Sequence, residues 1–157
     1  MAGNPTRRIA ILTDSTCDLP REVCRKNNIH VISQLIVWGG ETLRADKDID
    51  AETFYERLPR DPAHPITYQP SVGDFVTAYR EIGQEAHEIV TILLSGGFSG
   101  ATASAERAKA QVGIPVHVVD SQSISLGLGA IVMAAVQARD AGGDAAAIVA
   151  AAKRRAA

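Results

Sequence analysis

The side chains best equipped for chemistry gather where apolar runs end. Four stretches follow such runs: "TDSTCDLP" from Thr13, "WGGETLRADKDID" from Trp38, "SGGFSG" from Ser95 and "DSQSISLGLG" from Asp120. All are crowded with Asp, Ser, Thr and Gly. The fullest context is "ILLSGGFSGATASAE", Ile92 to Glu106: an apolar strand, a hydroxyl-bearing glycine turn and an alanine-rich helical run. Free backbone N–H groups and the helix dipole converge at such a junction, which therefore suits an anion. The hydroxyls of Thr67 and Ser95, with the amides of Gly96 to Gly100, fit an oxygen-rich group such as a carboxylate. No cluster of Arg or Lys stands beside the turn to neutralise a polyphosphate.

The same residues do not assemble a reaction centre. A P-loop requires a lysine after its last glycine, whereas Gly100 is followed by Ala101 and Thr102. Neither "GGFSG" nor "GLGAIV" supplies the dinucleotide fingerprint. "GFSGA" misses the hydrolase elbow by one position, and no histidine follows Asp120. His30, His64, His87 and His117 show no helical pairing or carboxylate neighbourhood of metal-site type. Cys17 and Cys24 fit neither a C-x-x-C redox pair nor a zinc knuckle. Asp14, Asp18, Asp46, Asp48 and Asp120 could collect a divalent cation. An Asp at a strand end more readily caps the next turn, however, as Asp14 with Ser15 can before Pro20. The expectation is a binding protein rather than an enzyme, with no metal and no cofactor.

Strands and helices must hold these loops in place. "RIAILTD" (Arg8 to Asp14), "HVISQLIVW" (His30 to Trp38), "EIVTILLS" (Glu88 to Ser95) and "PVHVVDS" (Pro115 to Ser121) read as strands. Their near-continuous apolar character predicts burial on both faces. Helices are expected over Pro20 to Asn27, Ala51 to Leu58, Ser71 to Gln84, Ser99 to Gln111, Gln122 to Ala141 and Asp144 to Arg155. Ser71 and Asp74 form a short capping box, and Asp144 can cap the last helix. The alternation predicts a doubly wound α/β fold, a mainly parallel sheet covered by helices on both faces.

The segment from Trp38 to Thr67 reads as long, irregular surface connections. The last helix, alanine-rich, has little to pack on. Val37, Trp38, Ile66, Phe98 and Ile124 are candidates for either an apolar pocket or ordinary core.

Composition bounds the function. With 46% hydrophobic, 22% charged and 4% aromatic residues, the 157-residue chain has the make-up of one soluble α/β domain. Its net charge of -2 argues against non-specific nucleic-acid binding, which needs a basic face. No window approaches the roughly 18 apolar residues of a membrane span, and "MAGNPTRR" lacks a signal-peptide core. A cytoplasmic setting is the expectation.

With those residues in hand, the chain resembles the DegV family, bacterial fatty-acid-binding proteins that include the binding subunit of fatty acid kinase. "TDSTCDLP", "DKDIDAETFYERL", "TYQPSVGDFVTAYRE", "LLSGGFSGATASAE" and "VVDSQSISLGLG" carry the resemblance, in order, over nearly the whole chain. It implies that residues 1–157 form the family's N-terminal α/β domain, with its second domain absent and an exposed apolar patch left behind.

It further implies one long-chain fatty acid whose carboxylate is held by Thr67, Tyr68, Gln69, Ser95, Gly96, Gly97 and Ser99. The strand-end loops of Asp14, Ser15, Asp120 and Ser121 would support them, and the tail would be buried. A separate fatty acid kinase catalytic subunit would receive the acyl chain and make an acyl-phosphate. Thr67, Gln69, Pro70 and Ser71 match the family's T-S-Q-P motif and the position after it. Tyr68 stands where that motif has serine, and Gly96 where the family often has a hydroxyl. The alternatives are an enzyme acting on a small phosphorylated metabolite and a regulatory interaction module.

Overall fold

A computed structural model describes residues 8–156. In chain order the elements are β1 (Ile9–Asp14), a 3-10 turn (Ser15–Cys17), α1 (Arg21–Lys26), β2 (Ile29–Ile32), β3 (Leu35–Trp38), β4 (Glu41–Arg44) and α2 (Ala51–Arg57). They continue with β5 (Ile66–Tyr68), α3 (Val72–Ile82), β6 (Glu88–Leu93), α4 (Ala101–Lys109), β7 (Val116–Asp120), α5 (Leu126–Asp140) and α6 (Ala145–Ala156).

Four strands pair in parallel in the order β2-β1-β6-β7. β6 buries all six of its residues, as a strand covered on both faces must. The sheet is flanked by α5 and α6, which pack on each other, and by α4, which pairs with α3. Ile11, Leu12, Ile89, Ile92 and Leu93 are almost wholly removed from water, each contributing roughly 1.5–3 kcal/mol of transfer free energy. This is the doubly wound α/β fold that the alternation of runs predicts. Among the described residues no helix is long and apolar enough to cross a membrane.

Four local expectations are corrected. The run from His30 to Trp38 is two strands, because the polar pair Ser33–Gln34 interrupts it and the Gln34 amide donates to Ser15 Oγ at 3.0 Å. β3 then joins a separate antiparallel sheet of order β4-β3-β5. The irregular connection from Trp38 to Thr67 thus builds a second sheet, with α2 capped by Asp50 on the Thr53 amide at 2.8 Å. This lobe has its own small core of Ile36, Trp38 and Ile49.

The helix expected from Gln122 starts at Leu126, because Gln122 and Ser125 take positive φ of 52° and 59°, which no right-handed helix accepts. The last helix does have a partner. Asp144 caps it through the Ala147 amide, and Ala145, Ile148 and Ala152 are buried, their small side chains allowing close approach to α5. Apart from these, His117 Nε2 lies 3.0 Å from Glu88 between β7 and β6, a contact invisible over 29 positions of sequence.

Candidate functional site

β1 runs through α1 to β2 on one side of the sheet, and β6 runs through α4 to β7 on the other. The switch point therefore lies between β1 and β6, where strand carboxyl ends open a crevice. A cleft of about 550 Å³ occupies that place, between the parallel sheet and the small lobe. Ser15, Thr16 and Asp18 reach it from the end of β1, and Leu94, Phe98 and Ser99 from the end of β6. Ile36, Ala45 and Ile49 with Phe54 and Tyr55 bring the lobe's apolar wall. Thr67, Tyr68 and Gln69 line it from β5 and the residue beyond, Ile124 and Ser125 from the loop before α5.

The register of the small sheet explains who faces the cleft. Ile36 pairs with Thr67 and Leu35 with Tyr68, so Gln34 falls opposite Gln69. Directly opposed residues share a face, which puts Gln34, Ile36, Thr67 and Gln69 together. Val37 and Ile66 pair with each other one position away and do not line the cleft. Trp38 does not line it either. It is fully buried in the lobe's core, its indole N–H donating to Ala63 O at 2.9 Å, its ring edge-on to Phe54 and beneath the Arg57 guanidinium. Of the five apolar candidates, Phe98 and Ile124 are at the cleft and are exposed, as are Tyr55 and Tyr68.

The strand-end acids brace the walls. Asp14 is buried and accepts from the Thr16 amide at 2.9 Å, the Thr16 hydroxyl at 2.6 Å and the Leu94 amide at 2.9 Å, locking the ends of β1 and β6 together. Asp120 accepts from the Gly96 amide at 3.1 Å and the Gln122 amide at 2.9 Å. Asp18 accepts from the Ser125 hydroxyl, and Asp48 is gripped by Arg44 through two bonds of 2.8 Å. Ser121 Oγ accepts from the Ser123 amide at 3.1 Å. Among the described residues no group of three or more His, Cys, Asp or Glu is placed to share a metal ion.

The glycine turn is largely folded in upon itself. The Gly97 amide donates to Ser95 Oγ at 3.2 Å, Phe98 and Ser99 amides donate to Ser95 O, and the Ala101 amide donates to Ser99 Oγ at 3.2 Å. With Gly96 held by Asp120, these amides are already engaged. Ser99 lines the cleft, while Ser95, Gly96 and Gly97 do not. A Cβ on Gly100 would lie 2.6 Å from Gln69 Nε2, so the absence of a side chain there lets the Gln69 amide lie against the turn.

Charge is unevenly spread around the cleft. Its lining has no Lys or Arg, and Asp46 and Asp50 follow β4, on one edge of the β4-β3-β5 sheet. Thr67, Tyr68 and Gln69 belong to the opposite edge. Burial holds the Asp46 carboxyl above the usual range, opposed by nearby Arg21 and reinforced by Asp18 and Asp50. Three cleft residues other than glycine, Asp18, Asp46 and Ser125, have φ of 50°, 61° and 59°. Such strained backbone characteristically marks ligand sites. Gln34, missed by sequence reasoning, also lines the cleft; its signal was the polar break inside an apolar run.

A doubly wound domain with an open, apolar-walled cleft at its switch point, lined by hydroxyls, amides and acids, has the form of a small-molecule binding domain. The chain belongs to the DegV family, whose model matches residues 8–157. A DegV domain-containing protein of Staphylococcus aureus is 42% identical over 119 residues, covering 76% of this chain and 42% of the relative. Protein DegV of Bacillus subtilis is 36% identical over 122 residues, covering 77% of this chain and 43% of its own length.

Among solved structures, B. subtilis DegV, described as a fatty acid binding protein, superposes with a TM-score of 0.90 at 31% identity, over 94% of this chain and 53% of that one. A DegV family protein of Thermus thermophilus, described by its fatty acid binding, gives 0.86 at 33%, over 95% and 53%. The chain thus spans about half the length of these relatives.

Proposed function

We propose that this domain binds a long-chain fatty acid in the cleft and, as a non-catalytic cytoplasmic carrier, presents the carboxylate to a fatty acid kinase catalytic subunit. The observation that carries the reading is the cleft's polarity. Neutral donors stand at the β5 edge and an apolar wall lies below; Asp46 and Asp50 stand at the opposite edge, while Asp18, from the end of β1, is engaged by the Ser125 hydroxyl. A carboxylate is repelled from the Asp46–Asp50 edge and seats at Thr67, Tyr68, Gln69 and Ser99, with Ser95, Gly96 and Gly97 framing Ser99. The hydrocarbon then runs over Ile36 toward Ile49. The family relatives described by fatty acid binding support the ligand class. A head group seated at the exposed rim is accessible to a second protein, which supports the presenting role.

The test is calorimetric titration of the delipidated protein with palmitate, oleate and stearate. Saturable binding is expected, weakened by about 1–3 kcal/mol in Thr67→Val with an unchanged melting curve, because a charged acceptor loses a donor. Absence of saturable binding by every acid would sink the reading. Adding a fatty acid kinase catalytic subunit and ATP should yield acyl-phosphate, and its absence despite tight binding would remove the partner alone.

A further inference from the structure

The acidic edge of the cleft has no function so far. Asp18, Asp46 and Asp50 all line the cleft, all are exposed, and no Lys or Arg stands among the lining residues to offset them. Two of these carboxylates are engaged, Asp18 by the Ser125 hydroxyl and Asp50 by the Thr53 amide at 2.8 Å. Among the described residues no donor bonds the Asp46 carboxylate, which has two like charges nearby and Arg21 as its nearby cation. It is an open acceptor in the cleft lining. It also borders the apolar wall, since the Asp46 amide donates to the carbonyl of buried Ile49 at 2.9 Å. A second feature is independent of charge: four of the chain's aromatic residues (three Phe, three Tyr and one Trp in all) line this one cleft, Phe54, Tyr55, Tyr68 and Phe98. Tyr55, Tyr68 and Phe98 are 69%, 53% and 75% exposed, so their rings are open to a ligand. Aromatic faces attract organic cations, most strongly where water is excluded.

We infer that the Asp46 end of the cleft receives the head of a long-chain alkylammonium, whose tail lies on the apolar wall of Ile36, Ile49 and Phe54. The ammonium N–H groups supply the donors that Asp46 lacks, and the positive charge offsets a lining whose charges are all negative. Such a pair gains more beside an apolar wall than on an open surface, because water screens it less. The two ends of the cleft then sort amphiphiles by head charge: an anion seats at the β5 edge, a cation at Asp46. The inference shares the apolar wall with the fatty-acid reading but not its carboxylate seat, so either can fail alone.

The experiment is calorimetric titration of delipidated protein with dodecylammonium, its neutral counterpart dodecanol, and palmitate, each below its micelle-forming concentration, for the wild type and Asp46→Asn. Asparagine keeps the side chain's shape and tolerates the left-handed backbone at this position, where φ is 61°. In the wild type, dodecylammonium should bind about tenfold tighter than dodecanol or better, an advantage that added salt reduces. Asp46→Asn should abolish that advantage, while palmitate, repelled by the same carboxylate, binds no worse. Equal binding of dodecylammonium and dodecanol by the wild type would overturn the inference, as would an advantage that survives Asp46→Asn. Equal weakening of all three ligands by Asp46→Asn would also overturn it, making Asp46 a support of the fold. Palmitate binding alongside any of these results leaves the fatty-acid reading intact. Dodecylammonium binding without binding of any fatty acid would overturn that reading and leave the inference standing, and failure of every ligand would overturn both. If Asp46→Asn does not fold, the wild-type comparison and its salt dependence decide alone.

Discussion

The parallel sheet and the small antiparallel sheet face each other across one cleft, yet different interactions hold them. Around β1 and β6 a continuous core of Ile, Leu and Val is closed by a buried carboxylate, Asp14, whose three donors tie two strand ends together. The lobe of β3, β4 and β5 has only Ile36, Trp38 and Ile49 as its buried apolar core. Around that core stand clamps of charge: Arg57 over Trp38, bonded to Asp61 at 2.8 Å and Glu41 at 3.0 Å. One wall of the cleft is therefore rigid by packing, and the other depends on one fully buried aromatic residue and on ion pairs that are half-buried or exposed. A wall of low local stability is what a cleft needs if a long chain is to enter it.

The sharpest way to break that contrast is Trp38→Ala. It deletes the lobe's largest buried side chain with its Ala63 bond, and should cost about 3–5 kcal/mol. Hydrogen exchange should show β3, β4 and β5 losing protection while β1 and β6 keep theirs. Uniform loss across both sheets would mean that the two regions are one cooperative unit. Asp14→Ala attacks the other wall. It orphans the buried Leu94 amide and should lower stability by about 2–3 kcal/mol, read as a lower urea midpoint at unchanged m.

pH should separate the regions more gently, from opposite ends. In the lobe, Asp48 is held below the ordinary carboxylate value by Arg44, Asp50 by the Thr53 amide, and Asp61 by the Ala63 amide and Arg57. Groups depressed on folding stabilise above their unfolded value and lose that contribution as pH falls through it, here below about 4. Asp46, raised by burial, opposes the trend singly. Trp38, the one tryptophan of the chain, reports the lobe by fluorescence, so its signal should change on acidification before the far-ultraviolet circular dichroism of the helices does.

In the parallel half, burial pushes the Cys17 thiol and the Tyr79 phenol each up to about 12. Raised groups stabilise below their unfolded values of 9.0 and 10.0, and that contribution drains away from there toward pH 12. Alkali should therefore weaken the parallel core, and thiol reagents at neutral pH should label Cys17 only after unfolding. Immediate labelling of the native protein would contradict the dry core. The smallest expected effect is that of Arg57→Lys, which keeps the charge but loses the flat stacking over Trp38 and the forked bonding. A small shift in Trp38 emission with little change in urea midpoint is expected, because water still reaches both pairs.

Much of this was legible beforehand, and the reasons are local. Continuous Ile and Val runs specify buried parallel strands, and Ser71 with Asp74 specifies a helix start that forms with bonds of 3.1 and 2.8 Å. Asp14 reads as a cap because a strand-end Asp has an amide two residues on. The bond from Leu94 to that same carboxylate, 80 positions away, has no local signature. Nor has the His117–Glu88 pair, or the second sheet, whose strands of three and four residues carry too short a pattern to register against an unbroken apolar run.

The candidate site divides in the same way. Residue types and motif order placed Thr67, Gln69 and Ser99 at strand and turn ends, because hydroxyls and glycines are needed there whatever the rest of the chain does. Which amides stay free, which wall faces the cleft and where an unpartnered group is stranded were settled only by packing. Asp120 accepts from the Gly96 amide from 24 positions away, and the β3–β5 register sets Gln34 opposite Gln69. The sequence by itself determined the elements and their chemistry, through periodicity and capping that act within a few residues. The tertiary structure alone decided which polar groups satisfy one another, since a hydrogen bond is indifferent to separation along the chain.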